Sequence, residues 1–158
     1  MSDLEQRKCL VVGGGKIAER KCQALIEAGA KPLVISPSLN EGLKALWGQG
    51  FLNYLCRPFE VKDLEGKFLV IAATNDKALN SAIATQCKLQ GILVNQVSEA
   101  SEGNCHTPAT LRHEGVLLSI STNGQPKLSK CLKENFKGIL AALVGASREA
   151  ITQSNLMR

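Results

Sequence analysis

Aromatic side chains are scarce: one Trp, one Tyr and four Phe make up 4% of the 158 residues. A core must therefore be built from Leu, Ile, Val and Ala, within a hydrophobic content of 44% that suits one full-sized globular domain and a small appendage. No apolar run approaches the roughly 20 residues that a membrane span needs. The opening octapeptide MSDLEQRK has no apolar segment of the signal-peptide kind. The expectation is a cytoplasmic protein without membrane contact. Six cysteines (Cys9, Cys22, Cys56, Cys87, Cys105, Cys131) include no C-x-x-C pair. That excludes the dithiol redox motif and the usual zinc spacings and leaves reduced, mostly buried thiols. Cys105-His106 is the one adjacent pair of soft ligands, and two neighbours without partners do not make a metal site. The net charge of +5 comes without a long Lys/Arg run or basic–aromatic interleaving, so nucleic acid is not an expected partner. The charge suits a solvated basic face or attraction for an anionic small molecule.

What is present starts at residues 8–21, KCLVVGGGKIAERK. Residues 9–12 form an apolar run of the buried parallel-strand type. Gly13, Gly14 and Gly15 follow, and then Ile17, Ala18, Cys22, Leu25 and Ile26 recur near helical spacing up to Gly29. Strand, glycine turn and helix give the pattern G-x-G-x-x-A its meaning. Gly13 permits the tight exit from the strand, Gly15 has no Cβ to block a diphosphate, and Ala18 lets the helix pack close to the sheet. The helix N-terminus then turns free N–H groups and the positive end of its dipole toward phosphates. A glycine turn that binds nothing is the plainer alternative.

The second apolar run, residues 31–36, completes a βαβ unit and predicts a parallel sheet. Its exit reads Ser36-Pro37-Ser38, with neither the acid that would hold the ribose hydroxyls of NAD nor an Arg for a 2′-phosphate. A helix is expected over 41–49, a short strand over 52–55 and a single helical turn over 61–64. Residues 67–74, KFLVIAAT, read as a central strand ending in Thr74-Asn75-Asp76 at the carboxyl edge, where ligands of open α/β sheets bind. Asn75-Asp76 also reads as a helix N-cap. A helix over 79–89 and a strand over 92–97 complete five strands with helices on both faces. After the loop SEASEGNCHT come two further strands, 108–111 and 116–121, a turn at 122–126 and a helix over 128–143 with a break at Gly138. Phe136, Ile139, Leu140 and Leu143 form one apolar face of that helix. Two strands added to a finished Rossmann unit suggest a dimerisation element, since an isolated pair is only marginally stable.

Together, VVGGGKIAERK at 11–21, FLVIAATND at 68–76, Asn95, TPA at 107–109 and LLSISTNG at 117–124 resemble the precorrin-2 dehydrogenase family, in family order and spacing. The resemblance covers about residues 5 to 135. It implies a Rossmann-like α/β fold with a parallel sheet, followed by a small strand-plus-helix dimerisation region. It also implies NAD as cofactor, a homodimer, and oxidation of precorrin-2, a polycarboxylate tetrapyrrole, to sirohydrochlorin. Carried over residue by residue, Gly13, Gly14, Gly15, Lys16 and Ile17 would cradle the diphosphate. Ser36, Pro37 and Ser38 would lie by the adenosine ribose, and Thr74 and Asn75 would border the nicotinamide. The implied organisation is an NAD-binding domain over 1–107, a dimerisation region over 108–137 and a truncated helical tail over 138–158. A separate chelatase or methyltransferase is an implied partner.

Two departures separate the functional hypotheses. Family members assigned a catalytic group carry an Asp after a strand beginning Asn-Val-Val. Here the run is Asn95-Gln96-Val97-Ser98, and a serine is a poor general base without a partner. The candidates near that position are Ser98, Glu99 and His106, the last also readable as a surface-loop histidine. The second departure is the loss of a Ser before Pro126, with Thr122 as either a hydroxyl near the cleft or a turn cap. Hydride transfer governed by proximity tolerates the missing acid. If the acid is required, the chain is a tetrapyrrole-binding or channelling module with weak dehydrogenase activity. A sirohydrochlorin ferrochelatase using Glu99, His106 or Cys105 ranks below both.

Overall fold

The computed structural model describes residues 4–105, 108–122 and 125–156. His106, Thr107, Asn123 and Gly124 therefore lie outside the described residues, and with them one of the expected acid–base candidates. The chain divides into two compact units, Met1–His106 and Thr107–Arg158.

In the first unit, β1 (Cys9–Val12), β2 (Leu33–Ser36), β3 (Asn53–Cys56), β4 (Leu69–Ala72) and β5 (Leu93–Gln96) form a parallel sheet in the order β3-β2-β1-β4-β5. All four residues of β1 are buried, because strand alternation sends them into two separate cores. Cys9 and Val11 join Ala18, Cys22 and Leu25 of α1 (Lys16–Glu27) and Leu43 of α2 (Glu41–Gly48) on one face. Leu10 and Val12 join Ile83, Ala84 and Cys87 of α3 (Lys77–Leu89), with Leu64 of a 3₁₀ turn, on the other. The fold is thus a Rossmann-like α/β sheet covered on both faces. The strand order reverses at β1, which pairs with both β2 and β4, and the switch point for ligands lies at their carboxyl ends.

Helix α3 starts two residues earlier than the sequence pattern suggests. Asp76 is its N-cap, and its Oδ1 accepts from the Leu79 N–H at 3.1 Å. The outer edge of β5 is closed by the loop that follows. Asn104 donates its N–H to the Val94 carbonyl at 3.0 Å and accepts the Val94 N–H on Oδ1 at 2.7 Å. Its side chain therefore imitates a neighbouring strand and blunts an edge that would otherwise invite pairing.

In the second unit, β6 (Ala109–His113) and β7 (Val116–Ile120) form an antiparallel hairpin. Its two-residue turn, Glu114-Gly115, has positive φ at both positions (46° and 85°), the geometry whose twist matches the strands. Helix α4 (Pro126–Leu156) packs Leu140 and Val144 on Leu111 and Leu118. Arg148 fastens it to the hairpin turn, with Nη1 at 3.2 Å from the Glu114 carboxylate and Nη2 donating to the Glu114 carbonyl at 3.0 Å. The break expected at Gly138 is absent. A glycine on the exposed face of a helix costs only about 1 kcal/mol, and α4 runs through it for 31 residues. Among the described residues, no helix is long and apolar enough to cross a membrane.

Candidate functional site

The carboxyl ends of β1, β2, β4 and β5 converge on one group of loops. Gly13 continues the β1 ladder by donating its N–H to the Ile35 carbonyl at 3.0 Å. It has φ +125°, and a Cβ there would stand 2.3 Å from the Ala73 carbonyl oxygen at the end of β4. Gly14 is pressed against the exit of β2. A Cβ on it would meet the Ser38 carbonyl oxygen at 1.8 Å and Ser36 Oγ at 2.8 Å. Only hydrogen at these two positions lets three strand exits meet.

Gly15 differs from both. It has extended backbone (φ −92°), and a Cβ added to it would meet nothing within 4 Å among the described residues. Its Cβ position is open at the N-cap of α1, where, among the described residues, no side-chain oxygen claims the free N–H groups. An open approach over a helix N-terminus is what a dinucleotide diphosphate needs, so these residues fit such a group. Lys16 and Ile17 follow as exposed residues of the first turn and border a groove along α1 with Glu19, Arg20 and Gln23.

The loop is braced by a residue the sequence pattern did not single out. Asn40 donates its N–H to the Gly14 carbonyl at 2.9 Å. Its Nδ2 donates to Glu19 Oε2 at 2.6 Å, while its Oδ1 caps α2 by accepting from the Leu43 N–H at 2.9 Å. Gly42 leaves room for this contact, since a Cβ there would lie 2.3 Å from the Glu19 carboxyl. The Glu19 carboxylate is thereby tied to α2. Ser36 is buried, and its carbonyl accepts from the Tyr54 hydroxyl at 3.0 Å; Pro37 and Ser38 are exposed.

The second missed residue is Asn80. It is fully buried on α3 and uses both ends of its amide. Oδ1 accepts from the Thr74 N–H at 3.1 Å and from the Thr74 hydroxyl at 2.8 Å. Nδ2 donates to the Thr74 carbonyl at 3.0 Å and to Ser98 Oγ at 2.8 Å. The Thr74 N–H is an unambiguous donor and so fixes which way the amide points. Asn80 thus brings together Thr74 after β4 and Ser98 after β5. One lone pair of Ser98 Oγ is taken, and its own proton is left to point elsewhere. The signal was available in the sequence: Asn80 stands at helical spacing from Ile83, Ala84 and Cys87, a polar residue in an apolar row.

Asn75 is exposed beside this network. Glu99 is not drawn into it. Its N–H donates to Gln96 Oε1, and its carboxylate accepts from Ser101 Oγ at 2.9 Å within the following turn. All six cysteines are free thiols. Burial and the Glu19 charge push the Cys22 thiol up to about 12, and burial alone pushes Cys87 up to about 11. Both are inert packing groups at neutral pH.

An NAD(P)-binding family model matches residues 1–109. Siroheme synthase 1 of Serratia proteamaculans is 35% identical over 149 residues, which is 94% of this chain and 31% of that protein. Siroheme synthase 1 of Aeromonas salmonicida is 34% identical over 144 residues, 90% of this chain and again 31% of that protein. The chain therefore spans less than a third of the length of these curated relatives. Among solved structures, that titled SirC, precorrin-2 dehydrogenase, matches with a TM-score of 0.74 and 34% identity, over 87% of this chain and 68% of that one.

Proposed function

The chain belongs to the NAD(P)-binding precorrin-2 dehydrogenase family, and on that premise we propose that it oxidises precorrin-2 to sirohydrochlorin with NAD⁺ in sirohaem synthesis. The observation that carries this is the pairing of an open Gly15 with closed Gly13 and Gly14 at the switch point. Two glycines serve the protein, and the third serves a ligand.

A bound NAD⁺ would supply the hydride acceptor, and the accompanying proton would leave to water or to a substrate carboxylate. In this proposal the N–H groups at Gly15, Lys16 and Ile17 hold the diphosphate. Ser36, Pro37 and Ser38 lie along the adenosine ribose, and Thr74 and Asn75 border the nicotinamide half. Ser98 acts as a hydrogen-bond donor, because Asn80 already donates to its oxygen and leaves its proton to point elsewhere; a neutral hydroxyl is a poor base. Its proton then steers an anionic substrate group, and the net charge of +5 favours the polycarboxylate as a whole. Rate enhancement comes from orientation of the two reactants. The free thiols suit the reducing cytoplasm.

The occupied oxygen of Ser98 also favours a second reading, a tetrapyrrole-binding module with slow turnover. An anaerobic incubation with precorrin-2 and NAD⁺ separates the two. The dehydrogenase produces sirohydrochlorin absorbance and NADH together, whereas the binding module gives neither above the uncatalysed rate while still titrating with NAD⁺. A parallel sample with Fe²⁺ reads any chelatase activity.

The second unit is proposed as the dimer contact. Its core is small, while Leu117, Ile139 and Leu143 are at least half exposed and Phe136 over a third. Phe136, Ile139 and Leu143 fall at i, i+3 and i+7 on α4 and make an apolar row. The wild-type chain is expected to sediment as a dimer, and Ile139→Asp with Leu143→Asp as a monomer that keeps its helix content. A variant that remains dimeric would place the contact elsewhere.

A further inference from the structure

The exit of β2 leaves coenzyme choice undecided. A carboxylate there would repel a 2′-phosphate, and Ser36-Pro37-Ser38 supplies none. Hydroxyl groups accept a ribose or a phosphorylated ribose alike, so selectivity falls to a neighbouring cation. The adjacent strand provides one. Cys56, last in β3, pairs with Ser36, last in β2, and its thiol donates to the Pro37 carbonyl at 3.3 Å. Parallel neighbours lie about 4.8 Å apart, and Arg57 is the next residue along. Its backbone is therefore beside the β2 exit.

Its guanidinium is engaged. Nη1 donates to Asp63 Oδ2 at 2.8 Å and to the Pro58 carbonyl at 2.9 Å, and Nη2 donates to Asp63 Oδ1 at 2.5 Å. Asp63 is held in turn. Its Oδ2 accepts the Glu60 N–H at 2.8 Å, and its side chain is 8% exposed. The Arg57 guanidinium keeps the Asp63 carboxyl below the usual carboxylate range. Lys62, in the same crossover, pairs with Glu60 at 2.5 Å. A two-pronged arginine–carboxylate pair has the geometry an arginine–phosphate pair would need, so one excludes the other.

We propose that Asp63 is a specificity-determining residue that withholds Arg57 from a 2′-phosphate, so that the site takes NAD⁺ and discriminates against NADP⁺. This rests on the dinucleotide site proposed above. The test is calorimetric titration of the purified chain with NAD⁺ and NADP⁺. The wild type binds NAD⁺ at least about tenfold more tightly. Asp63→Asn keeps an acceptor for the Glu60 N–H and frees Arg57. It tightens NADP⁺ binding by about tenfold, the worth of one charge-assisted phosphate contact, and leaves NAD⁺ within about twofold. Adding Arg57→Gln to that variant removes the gain. An unchanged NADP⁺ affinity in Asp63→Asn, a gain that survives Arg57→Gln, or a wild type that binds both coenzymes equally overturns the proposal. If circular dichroism shows Asp63→Asn unfolded, Arg57→Gln alone decides. NADP⁺ affinity that does not change supports the withheld cation, and a clear fall means that Arg57 already serves the phosphate. A wild type that binds neither coenzyme overturns the dinucleotide site itself.

Discussion

Gly15→Ala is expected to leave the fold standing and to remove most of the coenzyme affinity, whereas Gly14→Ala is expected to damage the fold itself. The asymmetry comes from what each new methyl group meets. At Gly14 it lands 1.8 Å from the Ser38 carbonyl oxygen, a backbone atom that cannot rotate away. The Asn40 N–H donates to the Gly14 carbonyl and prevents the loop from lifting clear. The cost should reach about 3 kcal/mol or more, at the upper end of what overpacking produces. At Gly15 the methyl meets no atom of the described residues within 4 Å, and extended backbone suits alanine. Alanine is a poorer N-cap than glycine, by about 1 kcal/mol or less, so thermal melting should move by only a few degrees. The same methyl occupies the approach of a diphosphate to the N-terminus of α1. NAD⁺ affinity should fall at least about thirtyfold, a loss of about 2 kcal/mol. Melting curves and calorimetry on the two variants check both halves. A Gly15→Ala protein that binds NAD⁺ as tightly as the wild type would mean that the opening serves no ligand.

Asn80→Ala carries the second large effect. Four hydrogen bonds meet at one fully buried amide, and truncation leaves the Thr74 N–H and carbonyl without their partner. A loss of about 2–4 kcal/mol is expected from a buried network broken at its centre. Turnover should fall further than this loss explains, by about ten- to a hundredfold in kcat with a smaller change in KM, because Thr74 and Ser98 lose their common anchor. Asn80→Asp keeps more of the network than truncation does, at the cost of a buried carboxylate facing the Thr74 carbonyl. It retains the acceptor for the Thr74 N–H but no longer donates to Ser98, whose hydroxyl then turns inward to donate to the new carboxylate. Its kcat should resemble that of Ser98→Ala, and combining the two should add little. Effects that simply add would separate Ser98 from Asn80. Ser98→Asp is the companion variant. Asn80 Nδ2 would hold the introduced carboxylate, and a rise in rate would mark position 98 as limiting turnover.

The centre of the sheet was legible because β1, β2 and β4 are buried on both sides. CLVV and LVIA are unbroken apolar runs, and the glycine turn with its following helix marked the carboxyl end of β1. The bonds that join the exits were not legible, because they cross long separations in sequence. Asn80 reaches Ser98 over 18 residues and Asn40 reaches Glu19 over 21, and no periodicity records either. Asn80 did leave a trace, as a polar residue in an apolar helical row. Its partner was beyond inference, since an amide in a core announces only that it must be satisfied. The break expected at Gly138 failed for a different reason. Propensity is a weak prior, and the packing of Leu140 and Val144 on the hairpin outweighs one exposed glycine. At the β2 exit, the sequence showed the missing acid but not that the neighbouring cation was already engaged by Asp63.

The central claim is that the space before Gly15 receives a pyridine dinucleotide. Titration of the purified chain with NAD⁺ in a calorimeter tests it most directly. The expected result is saturable binding at one site per chain, sharply weakened in Gly15→Ala at unchanged secondary structure. The absence of binding by NAD⁺ and NADH alike in a folded sample would contradict it.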